Sequence, residues 1–324
     1  MLSDITDRKS KEKVALLSID LTDAFNMVNH RRSILTLWRQ LSEVKDEVSD
    51  YIWILSFLIR WFGVHSFDGP SKKGICRTSR FTDEHGRSSI FPILRGTPQG
   101  SPLSACIFLS YFNFQPVDKE IGQFIYADDG NYIVSGASWL DVKAKITLIL
   151  EQLTYWCCEF GMELSLEKSC VMYFGSQSKK ADEIFQILQV RLVYFFRLLG
   201  VIIDSRLIFN NQVTACKAFW SSRLFLLRKF KKLGMSSQSG LQIAYAFRGK
   251  LNFGIFWWTF LSDTQRNELN VLWRKAVRIV YGLHRSTPVA EFMKALAIPD
   301  LTNFIIYLIA RRRFIWYLLG KSVI

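Results

Sequence analysis

"QFIYADDGNYIVSG", residues 123–136, sets two adjacent carboxylates, Asp128 and Asp129, inside an apolar, aromatic and β-branched setting. Phe124, Ile125 and Tyr126 read as one short strand, and Tyr132, Ile133 and Val134 as the next. Asp128-Asp129-Gly130-Asn131 between them has strong turn chemistry. Two like charges a few ångströms apart repel, so a bound cation would account for their proximity. On its own, however, Asp-Asp-Gly-Asn is better explained as an ordinary polar hairpin turn, since such dipeptides are common.

Working outward, residues 14–19 ("VALLSI") form a continuous apolar run that ends at Asp20. Such a run predicts a buried strand, with Asp20 at its C-terminal end. Residues 29–41 and 48–62 predict helices. Residues 72–93 predict a hairpin with "TDEHGR" as its turn. Pro98, Gly100 and Pro102 mark a loop, and Ser101-Pro102 opens a helix as N-cap and first position. Val142, Ile146, Ile149, Leu153, Trp156 and Phe160 recur at helical spacing behind a capping Ser138. Residues 163–174 and 192–203 predict further strands. Helices follow at 207–232, 237–257, 263–281, 288–296 and 301–318.

Composition bounds the class. The chain has 324 residues, 49% apolar and 15% aromatic, which describes a folded chain with a sizeable core. The longest apolar-rich runs, 251–261 and 301–310, fall short of the roughly twenty residues a membrane span needs. The polar N-terminus offers no secretory leader. Six cysteines are scattered without a C-x-x-C pair, so reduced thiols are expected, not a zinc site or disulfides. A nuclear or cytoplasmic protein, neither secreted nor transmembrane, is the expectation. Residues 206–324 hold 19 lysines and arginines against 4 acidic residues, whereas residues 1–205 hold 23 against 24. A basic back half predicts a polyanion partner. The change in charge and in element type places a domain boundary at 205/206.

Five segments occur in order: "LLSIDLTDAFNMVNH" (16–30), "RGTPQGSPLSACIFLSYFN" (95–113), "FIYADDGNYIVSG" (124–136), "GMELSLEKSCVMYFG" (161–175) and "RLLGVIID" (197–204). Together they resemble the reverse transcriptase family. The likeness is greatest to enzymes of retrotransposons lacking long terminal repeats, with group II intron reverse transcriptases as relatives. The resemblance implies an α+β fold: a palm of antiparallel sheet backed by helices over 1–205, then a mostly helical, basic thumb-like region over 206–324. It implies RNA-directed DNA polymerase chemistry with two Mg²⁺ ions, Mn²⁺ being an alternative. The partners it implies are an RNA or DNA template, a primer and dNTPs.

Residue by residue, the resemblance makes Asp20, Asp128 and Asp129 the metal-binding carboxylates, with the Leu21 carbonyl as an extra ligand. The N–H groups of Asp23 and Ala24 face the triphosphate. Phe25 is the gate beneath the sugar, although a plain core aromatic explains it as well. Gln99 contacts the nucleotide, and Gly96, Thr97, Pro98 and Gly100 contact the template. Lys168 neutralises charge on the leaving pyrophosphate, unless it is an ordinary exposed lysine. Leu199, Gly200 and Val201 position the primer end. Arg228, Lys229, Lys231 and Lys232, and likewise Arg274, Lys275 and Arg278, supply a surface that tracks phosphates without reading sequence.

The sequence departs from the family in places. Asn26 stands where Asp is frequent, Ala105 where a second proline is usual, and Gly130 where a bulkier residue is common. Only nineteen residues precede Asp20, where relatives carry a larger fingers region. The expectation is a truncated, retrotransposon-derived copy with the fingers largely missing and activity impaired. The alternative is a non-catalytic nucleic-acid-binding protein on the same scaffold.

Overall fold

The computed structural model describes residues 2–9, 12–43, 78–82, 88–92, 95–97, 102–112, 121–126, 128–252 and 255–318. The helix expected at 48–62, the turn expected at 82–87 beyond Thr82, and Ser101 lie outside the described residues. The chain divides into two compact units: Met1–Tyr173 with Gln177–Leu192, and Phe174–Ser176 with Val193–Ile324. The division therefore falls before the 195–204 hairpin, which packs on the helix that follows it, and not at the change of charge at 206.

The first unit contains strands β1 (Lys13–Ile19), β2 (Thr78–Thr82), β3 (Ser88–Pro92), β4 (Gly122–Tyr126), β5 (Asp129–Gly136), β6 (Cys170–Tyr173) and β7 (Arg191–Leu192). Its helices are α1 (Leu2–Lys9), α2 (Ala24–Met27), α3 (His30–Glu43), α4 (Pro102–Phe112), α5 (Trp139–Phe160) and α6 (Lys179–Gln186). The main sheet runs β4-β5-β1-β6-β7, antiparallel except for the last pair. Strand β1 is central and takes its partners on both sides, which is why its side chains at 14–17 are all fully buried and all apolar. Helix α5 packs on β1 and β5 through Val142, Ile146, Ile149 and Leu153. The Ser138 hydroxyl accepts the Asp141 N–H at its start, and Gly161, in left-handed conformation with φ 68°, closes its end.

Beyond the end of β1, a second cluster gathers α2, α3, α4 and the last turn of α5. Leu21, Ala24, Val28, Ile34, Ile107, Phe108, Tyr111 and Trp156 fill it. The Tyr111 hydroxyl donates to the Phe160 carbonyl, and the two rings meet edge to face. This cluster fixes the chain that leaves β1, and with it the residues after Asp20.

Two expectations need correction. The connection between β4 and β5 is tighter than Asp128–Asn131, because Tyr126 already pairs with Asp129. Gly130 and Asn131 are strand residues opposite Ile19 and Ser18. The expected strand at 163–174 is only Cys170–Tyr173, because Ser165 to Ser169 form a hydrogen-bonded turn in front of it. Cys157, Cys158, Cys170 and Cys216 are free. Burial pushes the Cys157 thiol up to about 12 and those of Cys170 and Cys216 to about 11, as inert structural thiols.

The second unit opens with a hairpin of β8 (Phe195–Leu198) and β9 (Val201–Asp204). Leu199 and Gly200 at its tip have φ of 46° and 85°, the pair of positive values that a two-residue hairpin turn requires. Helices α7 (Asn210–Lys232), α8 (Ser237–Asn252), α9 (Asp263–Tyr281), α10 (Val289–Ala295) and α11 (Leu301–Leu318) follow, with a 3₁₀ segment at Ile255–Phe260. The helix expected to run to 257 thus stops at Asn252. Trp220 and Trp273 join α7 to α9, rings edge to face at 6.1 Å, and Tyr245 of α8 stacks on Trp273 at 5.5 Å. A capping box of Ser262 and Gln265 starts α9.

Asp204 organises the passage from hairpin to helix. Its carboxylate accepts the N–H groups of Arg206 and Ile208 at 3.1 Å and of Phe209 at 2.6 Å. These bonds hold Leu207 and Phe209 at φ of 60° and 56°, which side chains other than glycine adopt at a cost. Asp204→Ala is expected to cost the second unit about 2–3 kcal/mol. Urea unfolding of that unit, followed by tryptophan fluorescence, reads the loss as a lower midpoint.

Candidate active site

Asp20 is the first residue past β1, and its backbone is clamped from both sides. Its N–H donates to the Ser169 hydroxyl at 3.1 Å, and its carbonyl accepts the Ser165 N–H at 2.9 Å. The Ser169 hydroxyl in turn donates to the Ser165 carbonyl at 2.7 Å. Leu21 bridges to Leu164, and the Thr22 N–H donates to the Glu163 carbonyl. Residues 163–169 thus run along 20–22, which brings Lys168 Nζ to 3.7 Å from Asp20 Oδ2. Lys168 is 70% exposed, so water screens this pair and it adds little to stability.

The register then sets the other carboxylates. Ile19 faces Gly130 across the β1–β5 ladder, so Asp129 stands one step beyond, at the end of β1 where Asp20 leaves it. The Asp129 carboxyl is pushed above its ordinary value of 3.8, first by burial and then by the negative charges of Asp128 and Asp20. Asp20 and Asp129, 109 residues apart in sequence, therefore act on each other through space. Among the described residues, no group of three or more His, Cys, Asp or Glu side chains is closed tightly enough to define a metal site by itself.

Ionised Asp129 strains this end of the sheet. Because its folded-state value is raised, the protonated form favours folding. The penalty is absent below the ordinary value and complete once pH exceeds the raised one. Asp129→Asn is therefore expected to melt higher than the parent at pH 7 in EDTA. The gap should close as pH falls toward 3.8. Differential scanning fluorimetry across that range checks both the sign and the trend.

Next to the carboxylates, Asp23 takes a left-handed conformation, φ 46°, and its carbonyl accepts the N–H groups of Asn26 and Met27 to start α2. Ala24 is buried and Asp23 is exposed. Phe25 stacks on Phe108, ring centres 4.6 Å apart. The Phe25 carbonyl accepts both the N–H of Thr97, at 2.9 Å, and its hydroxyl, at 3.4 Å. The Gly96 N–H donates to the Val28 carbonyl, and His30 Nε2 donates to the Gly96 carbonyl at 2.8 Å. Gly96, at φ 94°, lies so close to α2 that a Cβ would sit 3.2 Å from the Asn26 carbonyl oxygen. The structure thus joins Gly96 and Thr97 to Phe25. Thr97 is buried, with its polar groups spent on this junction. Pro98, Gln99 and Gly100 lie outside the described residues.

Sequence reasoning missed His30, Ser165 and Ser169. The serines flank Lys168 four residues apart in "SLEKS", the one local signal of a clamp. His30 opens α3 and carries no signal beyond its neighbours.

In the second unit, Leu199 and Gly200 form the tip of the β8–β9 hairpin, while Val201 is buried. Arg228, Lys229 and Lys232 lie exposed on the last turns of α7, with Lys229 over the Phe225 ring at 4.7 Å. Lys231 donates to the Ser237 hydroxyl. Arg274, Lys275 and Arg278 do not form one open basic face. Arg274 pairs with Asp300 at 2.6 Å, and Arg278 donates to the carbonyls of Arg285 and Thr287. Those two guanidinium groups tie the 285–300 segment to α9, and Lys275 alone of the three is exposed.

Residues 2–206 match the family described as reverse transcriptase (RNA-dependent DNA polymerase). The RNA-directed DNA polymerase from the mobile element jockey of Drosophila melanogaster is 20% identical over 240 residues, which cover 69% of this chain and 26% of that protein. The chain thus spans about a quarter of that relative's length. Among solved structures, telomerase from Candida albicans with a TWJ fragment of telomeric RNA aligns at TM-score 0.47 and 11% identity, over 92% of this chain and 53% of that one. Its counterpart from Candida tropicalis aligns at TM-score 0.45 and 12% identity, over 92% and 52%. With a family match over most of its length, carrying Asp20, Asp128, Asp129 and Lys168, the chain belongs to the reverse transcriptase family.

Proposed function

We propose that this chain performs RNA-directed DNA synthesis, joining dNTPs to a primer on a template. The observation that carries the reading is the β1–β5 register, which sets Asp129 beyond the Ile19–Gly130 pair at the end of β1 that Asp20 leaves, with the charges of Asp128 and Asp20 acting on its carboxyl. A carboxyl raised by burial and by the charges of two neighbouring carboxylates is poised to take up a cation. The donor set is hard oxygen only, which suits Mg²⁺ or Mn²⁺. Asp20, Asp128 and Asp129 would hold two such ions, with the Leu21 carbonyl as a further ligand. When bound, the ions supply charge neutralisation for the primer hydroxyl, the triphosphate and the departing pyrophosphate.

The chain's own residues do the rest. Ser165 and Ser169 keep the Asp20 backbone in place, so its carboxylate needs little reorganisation. Lys168, beside Asp20, adds positive charge where pyrophosphate leaves. The N–H groups of Asp23 and Ala24 face the triphosphate. Phe25, fixed by Phe108, presents a flat ring beneath the sugar and disfavours a 2′-hydroxyl. Gln99 contacts the nucleotide. Gly96, Thr97, Pro98 and Gly100 form the template loop, where Gly96 and Thr97 act by holding the loop against α2. Leu199, Gly200 and Val201 position the primer. Arg228, Lys229, Lys231, Lys232 and Lys275 follow the phosphate backbone, with Arg274 and Arg278 supporting the scaffold beneath.

The test is extension of oligo(dT) on poly(rA) with dTTP. Incorporation in Mg²⁺ or Mn²⁺ above an EDTA control is the expected result. A protein that binds the template–primer yet incorporates nothing in either metal would contradict the reading.

A further inference from the structure

His30 is the first residue of α3 and is 5% exposed. Asn29 sets its place. The Asn29 side-chain oxygen accepts the Arg32 N–H at 3.1 Å, and its carbonyl accepts the Ser33 N–H at 2.9 Å. This N-cap fixes the start of the helix and so the direction of His30. His30 Nε2 lies 2.8 Å from the Gly96 carbonyl oxygen. A carbonyl only accepts, so Nε2 carries the proton. Segment 95–97 runs antiparallel beside 25–29: Asn29 bridges to Arg95, the Gly96 N–H donates to the Val28 carbonyl at 2.8 Å, and the Thr97 N–H donates to the Phe25 carbonyl at 2.9 Å.

Gly96 is thus held at both of its polar groups, and the residue after it holds Phe25. The Phe25 ring is fixed separately, by stacking on Phe108 of α4. Its backbone belongs to α2, a single turn of four residues. One helical turn orders several residues for very few hydrogen bonds and is weak by itself. The bonds from 95–97 therefore decide how firmly the main chain of Phe25 is placed. An apolar side chain at position 30 would fill similar space but leave the buried Gly96 carbonyl without this donor.

We propose that His30 is a positioning residue for the choice of sugar. By holding the Gly96 carbonyl it locks segment 95–97 onto α2, and through Thr97 it holds the backbone of Phe25, so that the ring stays beneath the sugar. The inference rests on the gate role of Phe25 proposed above and is independent of the cation site. It adds a buried residue whose effect runs through main-chain hydrogen bonds. It also gives the pairing of 95–97 with 25–29 a function beyond folding: the loop and the gate keep one shared position.

The experiment uses the full chain, His30→Leu, His30→Gln and Gly96→Ala, with Phe25→Val as reference. Incorporation of dUTP and of UTP, which differ only in the 2′-hydroxyl, is measured on poly(rA)–oligo(dT). The readout is the ratio of the two kcat/KM values. Loss of folded protein lowers both alike and leaves the ratio unchanged. His30→Leu removes the donor and is expected to lower the ratio about tenfold, by admitting UTP and raising the KM for dUTP. His30→Gln offers an amide donor at similar reach and is expected to recover most of it. Gly96→Ala sets a Cβ 3.2 Å from the Asn26 carbonyl oxygen at φ 94°, opens the same junction from the loop side, and is expected to lower the ratio as well. A merely structural histidine would give a lower melting temperature with a parent-like ratio. A parent-like ratio in His30→Leu, or in Gly96→Ala should His30→Leu fail to fold, overturns this inference alone. A parent-like ratio in Phe25→Val removes the gate and the inference with it. A parent protein that incorporates neither nucleotide overturns the proposed function and the inference together.

Discussion

Asp128→Asn is expected to cut dTTP incorporation on poly(rA)–oligo(dT) by at least about a thousandfold, with the fold intact. The substitution is isosteric and falls in the tight β4–β5 connection, where the side chain is half-buried and packs no core. It removes one of three mutually repelling charges, so the metal-free protein keeps or gains stability. On the proposed reading, what it loses is a cation ligand. A thousandfold corresponds to about 4 kcal/mol of transition-state stabilisation, the scale on which a bound cation acts at a developing charge. Radiolabelled incorporation in Mg²⁺, with circular dichroism and melting on the same samples, separates chemistry from folding. Incorporation within tenfold of the parent would remove Asp128 from the site.

Gly130→Val is expected to destabilise the first unit by about 2–3 kcal/mol, or ~6 °C in melting temperature. A Cβ at 130 would lie 2.7 Å from Ile19 Cγ1 and 3.0 Å from its Cδ1. Ile19 is 2% exposed and flanked by strands on both sides, so it has nowhere to go. The Ile19 side chain, reaching across the ladder, takes the space a side chain at 130 would need. The pair should therefore be coupled. Ile19→Ala alone leaves a cavity, but combined with Gly130→Val it gives back the space the valine needs. Double-mutant-cycle melting should show at least about 1 kcal/mol of coupling. Strict additivity would contradict the packing account. Overpacking here also displaces Asp129, the next residue, so incorporation should fall along with stability.

Much of the scaffold was legible because its signals are local. The apolar run 14–19, the Ser138 cap with its helical stripe, and α9 between Ser262 and Gly282 each carry period and termini within the segment. What failed depended on neighbours distant in sequence. Gly130 and Asn131 carry turn chemistry, yet Gly130 is small to admit Ile19, and Asn131 is buried in the sheet. Arg274 and Arg278 line up as a basic helix face, but Asp300 and the carbonyls of Arg285 and Thr287 consume them. The site was legible in part. Asp20 at a strand end and Asp128-Asp129 near a turn follow from pattern, whereas their meeting rests on register, which the order of motifs conveys only as a resemblance. The backbone clamps at Ser165, Ser169 and His30 leave almost no trace in sequence, since their partners are main-chain atoms.

The central claim is that Asp20 and Asp128 serve one cation site. Titration of Mn²⁺ into the full chain, with Asp20→Asn and Asp128→Asn compared separately, tests it without nucleotide or template. The account predicts that the parent binds Mn²⁺ and that each substitution alone weakens binding by at least about tenfold. Binding in the parent that survives Asp20→Asn unchanged would contradict it.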